Sequence, residues 1–244
     1  LAVATFAGEF VEYPEFRYTS ALPGGGWGVT PDGVPGFDGA LQTNIPVAYT
    51  PHCGTVLGYS SGSFDSTPRF RFSGGNSNGT ATIAMGFGKP GHGIYLCEMG
   101  TARNWESVQN LQFQIIPASN VRPAVAIGVQ DILSQRVQRL GGSEHGAASY
   151  YAVATQEYEL LDRPVYVTLG AGFRRFHGLF GGVSWRATDK LTIMAEYDGW
   201  NVNAGAALDL SDWLVDHVVL FTSMVDLNRT VIGLTYVNSK WPNF

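Results

Sequence analysis

The chain is poor in charge: only 14% of its 244 residues are Asp, Glu, Lys or Arg, against roughly 25% in an ordinary soluble domain. A water-exposed surface of this size would have little to solvate it. Long hydrophobic runs are also missing. No stretch of about twenty apolar residues occurs, so the sequence holds no spanning helix, and a mean hydropathy of +0.01 argues against a bundle of membrane helices. Net charge is −5, and no basic run interleaved with aromatics is present, so nucleic acid is not an expected partner. Two cysteines, Cys53 and Cys97, are too few for a disulfide framework. Cys53 falls in a turn and Cys97 in a strand, and their pairing stays open. The five histidines are scattered, without His-x-x-x-His or Cys-x-x-Cys spacing, so no metal or other cofactor is expected. Runs such as Gly86-Phe87-Gly88 lack the helix and the Lys-Ser/Thr of a phosphate loop.

What is present is aromatic residues at 13%, 31 glycines, and two regions of different texture. Residues 1–54 carry Gly24-Gly25-Gly26-Trp27-Gly28 and then Pro31, Pro35, Pro46 and Pro51 without a sustained period of two. Such punctuation marks irregular extended chain, expected as a lead-in that is either periplasmic or inserted in a lumen. The start at Leu1 without Met fits a mature chain freed of its signal peptide, or a truncation. Residues 55–244 read instead as short alternating runs separated by turn residues. Twelve strands are expected, at about 55–63, 80–88, 93–100, 107–117, 123–131, 147–158, 164–174, 177–186, 190–198, 201–210, 216–225 and 229–238.

Alternation decides which side of the sheet each residue occupies. In 107–117, Leu111, Phe113 and Ile115 oppose Asn110, Gln112 and Gln114; in 190–198, Leu191, Ile193, Ala195 and Tyr197 oppose Thr192, Met194, Glu196 and Asp198. The less apolar face is mostly Gly, Ala, Ser, Thr, Asn and Gln. That face would solvate poorly as an exterior but suits a narrow polar interior with room for water, leaving the apolar face to meet lipid. Strands of about nine to eleven residues cross the hydrocarbon when tilted, and closure satisfies every backbone N–H and C=O there. The fold class expected is all-β: a closed antiparallel up-and-down transmembrane β-barrel of about twelve strands, preceded by an irregular segment. A bacterial outer membrane is the place for it, with membrane lipid as its first partner. Loop lengths agree with an up-and-down order, because the longest connections, about 64–79 and 132–146, both follow odd-numbered strands. Trp105, Trp185, Trp200, Trp213 and Trp241 fall near strand ends, where an interfacial girdle would place them. Phe244 matches the C-terminal aromatic of many assembled barrels, with Val231–Tyr236 as the alternative insertion signal.

Three local motifs, in order, resemble the YjbH-like outer-membrane barrels associated with exopolysaccharide production. They are Gly39-Ala40-Leu41-Gln42-Thr43-Asn44-Ile45-Pro46 followed by Gly54–Ser60, then Pro123–Ile132, then Ala195-Glu196-Tyr197-Asp198-Gly199 with Asn201-Val202-Asn203-Ala204-Gly205. The chain departs where Asn44 separates Thr43 from Ile45, and where Leu133-Ser134-Gln135 follows Asp131-Ile132. The resemblance implies a barrel supporting polysaccharide export or surface assembly, with polysaccharide or other envelope proteins as partners.

Gln112, Gln114, Gln130, Arg174, Arg186, Glu196, Asp198, Asn201, Asn203 and Asp209 are the expected lumen or pore-lining residues. Among them Glu196 and Asp198, on one face of one strand, form either a charged constriction or structural contacts. In the structural case, Glu196 holds an inward arginine such as Arg186, and Asp198 helps form the Asp198-Gly199-Trp200-Asn201 turn. The pair lacks a cleft of the kind a glycosidase needs, and no catalytic residues or enzymatic activity are expected. Three roles remain open: polysaccharide export or assembly, a small-solute porin, and a filled barrel that anchors envelope partners.

Overall fold

The computed structural model describes Thr19 and residues 21–62, 70–72, 75–77, 79–101, 107–133, 137–140, 143–146, 148–211 and 217–240. Its body is a closed barrel of twelve strands. These are β1 (Thr55–Gly62), β2 (Thr80–Lys89), β3 (His92–Thr101), β4 (Ser107–Ile116), β5 (Ala124–Gln130) and β6 (Ser149–Leu160). They continue as β7 (Arg163–Gly172), β8 (Gly178–Arg186), β9 (Leu191–Tyr197), β10 (Val202–Asp209), β11 (Val218–Val225) and β12 (Arg229–Asn238). Each strand pairs antiparallel with its neighbours in sequence, and β12 closes on β1 from Val231 opposite Gly62 to Asn238 opposite Thr55. Number, order and positions agree with the alternation in the sequence, with ends displaced by no more than two residues.

The barrel has two unlike rims. The near rim carries the start of β1 and the β2–β3, β6–β7 and β8–β9 turns. The far rim carries the two longest connections, after β1 and after β5. Their described parts contain short antiparallel hairpins, Phe70–Phe72 with Gly75–Ser77 and Val137–Leu140 with Ser143–Gly146.

The direction of the side chains identifies the surround. Leu57, Ile83, Leu96, Phe113, Leu169 and Ile193 point outward and are exposed, while Ser60, Asn110, Gln112, Thr155, Thr168 and Asn203 point inward and are buried. A barrel for water would have the reverse arrangement. An apolar outer band over a fully hydrogen-bonded closed sheet is a surface for hydrocarbon. Trp185 and Trp200 stand half-buried near opposite rims. Trp105, Trp213, Trp241 and Phe244 lie outside the described residues.

Of the two places expected for the lead-in, periplasm or lumen, its described part lies in the lumen. Residues 21–51 lie inside it, and Leu22, Ala40, Leu41, Ile45, Val47 and Tyr49 are all at 0% exposure. The internal segment reaches the near rim at Asp32, whose carbonyl accepts the Gly91 N–H at 3.3 Å. It then runs to the far end at Asn44 and returns to the near rim at Pro51 before β1. Its own regular structure is a two-residue ribbon, Gly28–Val29 with Pro35–Gly36, plus bridges from Val29 to Ala40 and from Gly25 to Gln42. Glycine lets the turns close: at Gly39 (φ 97°) a Cβ would lie 2.0 Å from the Val29 carbonyl oxygen.

Aromatic rings of the wall also fill the interior. Tyr95, Tyr151, Tyr166, Phe180 and Phe221 point inward and are buried. Glycines on adjacent strands make room for them, since a Cβ on Gly170 would sit 2.2 Å from the Phe180 ring and one on Gly233 equally close to Phe221. Tyr95 packs on Trp27 of the segment and Tyr166 on Tyr49, both with centroids 6.1 Å apart, while Tyr151 and Phe180 pack on Phe176. Space counted on for water is thus occupied by interdigitated side chains, as is common in small barrels.

Candidate functional site

The site built by this fold is the contact between the inner wall and the internal segment. A segment with little regular structure leaves many backbone N–H and C=O groups unmatched, and burying them without partners is costly. The inner wall supplies those partners, strand by strand.

Toward the far rim, β9 projects Glu196 inward by alternation. Its carboxylate accepts the Thr43 N–H at 3.0 Å and the Asn44 N–H at 2.8 Å. A carboxylate suits two adjacent N–H donors because it only accepts, and charge shortens and strengthens such bonds. Asn203, directly opposite on β10, donates to Glu196 at 3.2 Å and to Asp198 at 3.1 Å. Arg175 donates to the Asn44 carbonyl at 2.5 Å. The segment is therefore gripped at its far turn from both its N–H and its C=O side.

Midway, the Thr155 hydroxyl oxygen on β6 accepts the Ala48 N–H at 2.8 Å, and Ser184 Oγ on β8 accepts the Leu41 N–H at 3.2 Å. Gln112 and Gln114 on β4 divide the work. Gln114 accepts the Thr50 N–H at 2.9 Å, while Gln112 donates to the Val47 carbonyl at 2.9 Å and to Thr50 Oγ1 at 2.7 Å. Tyr95 and Asn110 both donate to the Ala21 carbonyl, at 3.1 and 3.0 Å. At the near rim, Arg186 pairs with Asp38 of the segment at 2.6 Å, and its guanidinium lies 5.8 Å from the centre of the Phe37 ring.

Six of the residues expected from sequence converge on this contact or brace it: Gln112, Gln114, Arg186, Glu196, Asp198 and Asn203. Gln130 is buried on the inner face of β5. Arg186 meets the segment, but through Asp38; Glu196 holds backbone N–H groups instead of an arginine. Asp198 Oδ1 accepts the N–H of Trp200 and of Asn201, at 2.9 and 2.8 Å, so both it and Asn201 belong to the β9–β10 turn. Asp209 ends β10 at the near rim, where it accepts the Ser211 N–H at 3.0 Å. Arg174 falls in a turn instead of on a strand. β7 ends at Gly172, Arg174 takes a left-handed φ of 57° in a short 3-10 turn, and the alternation stops two residues too early for it. Its neighbour Arg175 enters the lumen instead. Period two cannot find that residue, because it lies in a turn; Thr155, Ser184 and Asn110, by contrast, stand on inward positions of regular strands.

Cys53 and Cys97 are unbridged. Cys53 donates to the Ser239 carbonyl at 3.4 Å near the end of β12, and burial raises its thiol pKa. Among the described residues, no group of three His, Cys, Asp or Glu is placed to hold a metal ion.

No family model matches the chain, and no curated protein matches it. Among solved structures, a triple mutant of the Rh. blastica porin matches at 13% identity and a TM-score of 0.32, over 73% of this chain and 66% of the porin chain. The chain thus spans a little under two thirds of that porin. A loop L8 deletion mutant of OmpT, an outer membrane protein of Vibrio cholerae, matches at 12% identity and a TM-score of 0.31, over 78% of this chain and 77% of that one. At such scores the neighbours add nothing to what the chain's own hydrogen bonding establishes. Twelve antiparallel strands closed on themselves around a buried segment, with the exposed aliphatic side chains outside, make this an outer-membrane β-barrel protein.

Proposed function

We propose that the protein is a closed barrel that anchors envelope partners, in the service of polysaccharide export or surface assembly, with no catalysis of its own. One observation carries the closed reading: residues 40–50 of the internal segment are all buried within the barrel, and side chains of β4, β6, β8 and β9 hold their backbone. A small-solute porin needs water along the axis, and here the axis is occupied by chain. The polysaccharide part rests on the resemblance to YjbH-like barrels. Two of the three resembling motifs meet in the lumen, since Thr43 and Asn44 of the first are held by Glu196 of the third. The shared pattern thus falls on the grip that keeps the segment inside.

Two measurements test the two parts separately. Liposomes carrying the full chain are expected to show no size-dependent swelling in sugars; uptake graded by solute size would overturn the closed reading. Deleting the protein from its host is expected to reduce surface polysaccharide, and an unaltered profile would remove the polysaccharide role while leaving the closed barrel intact.

A further inference from the structure

The outer wall across β2, β3 and β4 has an order of polarity along its strands. Cross-strand registers place outward residues in rows, successive rows being about 7 Å apart along the strands. The two rows nearer the near rim are apolar: Phe87, Ile94 and Phe113, then Met85, Leu96 and Leu111. The next holds Ile83, Glu98 and Gln109, and the row beyond it is small, with Ala81, Gly100 and Ser107. A groove of about 330 Å³ runs along this wall, bounded on one side by Ile132. That residue is tied to the wall by its N–H, which donates to the Gln109 carbonyl at 2.8 Å.

Glu98 is the one charged outward side chain away from the strand ends among the described residues. Its carboxylate accepts Gln109 Nε2 at 3.0 and 2.8 Å. The amide is neutral, and no described cation is paired with the carboxylate. A charge on the lipid face of a barrel is destabilising in proportion to its depth, so an unneutralised carboxylate beside an apolar groove calls for a cation arriving from the membrane itself. Apolar rows, then a carboxylate, then a row of small residues is the order that matches an amphiphile: acyl chain, ammonium, remainder of the headgroup.

From this we infer that the groove is a binding site for a phospholipid bearing a primary ammonium. Its acyl chain lies over Leu96, Leu111 and Met85, and its N–H groups donate to Glu98. The assignment requires only that the outer wall face lipid, and is independent of whether the lumen is closed. Choline-headed lipids carry the charge but no N–H donor, and glycerol-headed anionic lipids carry the wrong sign.

Native mass spectrometry of the full chain in detergent, titrated with dioleoyl phosphatidylethanolamine, phosphatidylcholine or phosphatidylglycerol, reads the site directly. The parent chain is expected to retain the ethanolamine lipid about three- to fivefold better than the choline lipid, the scale of one partly exposed ion pair. Glu98→Gln is expected to abolish that preference. Gly100→Phe leaves Glu98 in place and puts a ring in the row next to it; among the described residues a Cβ there meets only the Ala81 carbonyl oxygen, at 3.9 Å. It too is expected to lose the preference, while both variants keep the heat-modifiable migration of a folded barrel. Equal retention of the three lipids by the parent chain overturns the site, as does a preference that survives either substitution. A second copy of the chain covering this wall in place of lipid overturns it as well.

Discussion

At the scale of single residues, the barrel interior is organised around acceptors and donors aimed at one irregular strand of chain. Glu196 shows the logic most plainly. Buried at 4% exposure, it takes two adjacent backbone N–H groups, those of Thr43 and Asn44. Glu196→Gln replaces one carboxylate oxygen by an NH₂ that faces a donor, so one N–H loses its partner. The expected cost is about 2 kcal/mol, the scale of a lost bond to a charged group together with a stranded buried donor. Denaturant unfolding of the protein in detergent micelles checks this, and an unchanged midpoint would show that the carboxylate is not what grips the segment. Asp198, two residues on, serves the turn instead of a pore. Carboxylates of the same spacing and face can thus have separate duties, depending on what the neighbouring backbone presents.

At the scale of elements, the strands alternate as their sequence dictates, and the turns decide where alternation stops. The β7–β8 connection is the instructive case. Phe173 still points outward, but the left-handed turn at Arg174 resets the pattern and brings Arg175 inward. The β8–β9 turn carries a different device. The Arg163 guanidinium bonds the Asp189 carboxylate across the near rim, and this holds the Asp189 carboxyl below its usual pKa. A depressed folded pKa contributes stability that is present above the unfolded carboxylate value of about 3.9 and is lost as pH falls through the lowered folded value. Both partners are solvent-exposed, with side-chain exposures of 38% and 80%, and exposed pairs contribute little. Asp189→Asn is therefore expected to unfold at the same denaturant concentration as the parent at pH 7. A clear drop at pH 7 that vanishes in strong acid would give this turn more weight than its exposure allows.

At the scale of the whole molecule, wall and segment make one core. The inward rings of β3, β6, β7, β8 and β11 pack on the segment as much as on each other, and the strands provide closure without filling their own interior. Removing residues 1–51 should therefore turn a sealed barrel into a conducting one. Planar bilayers are expected to show discrete openings for the shortened chain and a silent baseline for the full one. Heat-modifiable migration establishes beforehand that the shortened barrel has formed. Openings of equal size in both chains would mean that the segment does not seal the lumen.

Much of this was legible in the residues alone. Alternation over Leu111 to Ile115 or Leu191 to Tyr197 determines strand and face together, because successive side chains point to opposite sides of the sheet. Scarce charge, with small polar residues opposite aliphatic ones, determines that the apolar side meets lipid. The inward placement of Gln112, Gln114, Glu196 and Asn203 follows from the same period. Only the tertiary structure decided what those residues face. Residues 21–51 have no period from which a path can be read, and their place depends on long-range bonds such as those from Thr43 and Asn44 to Glu196, more than 150 residues away. Local pattern specifies a side of a sheet, but which distant backbone comes to fill an enclosed space is settled by closure of the whole barrel around it.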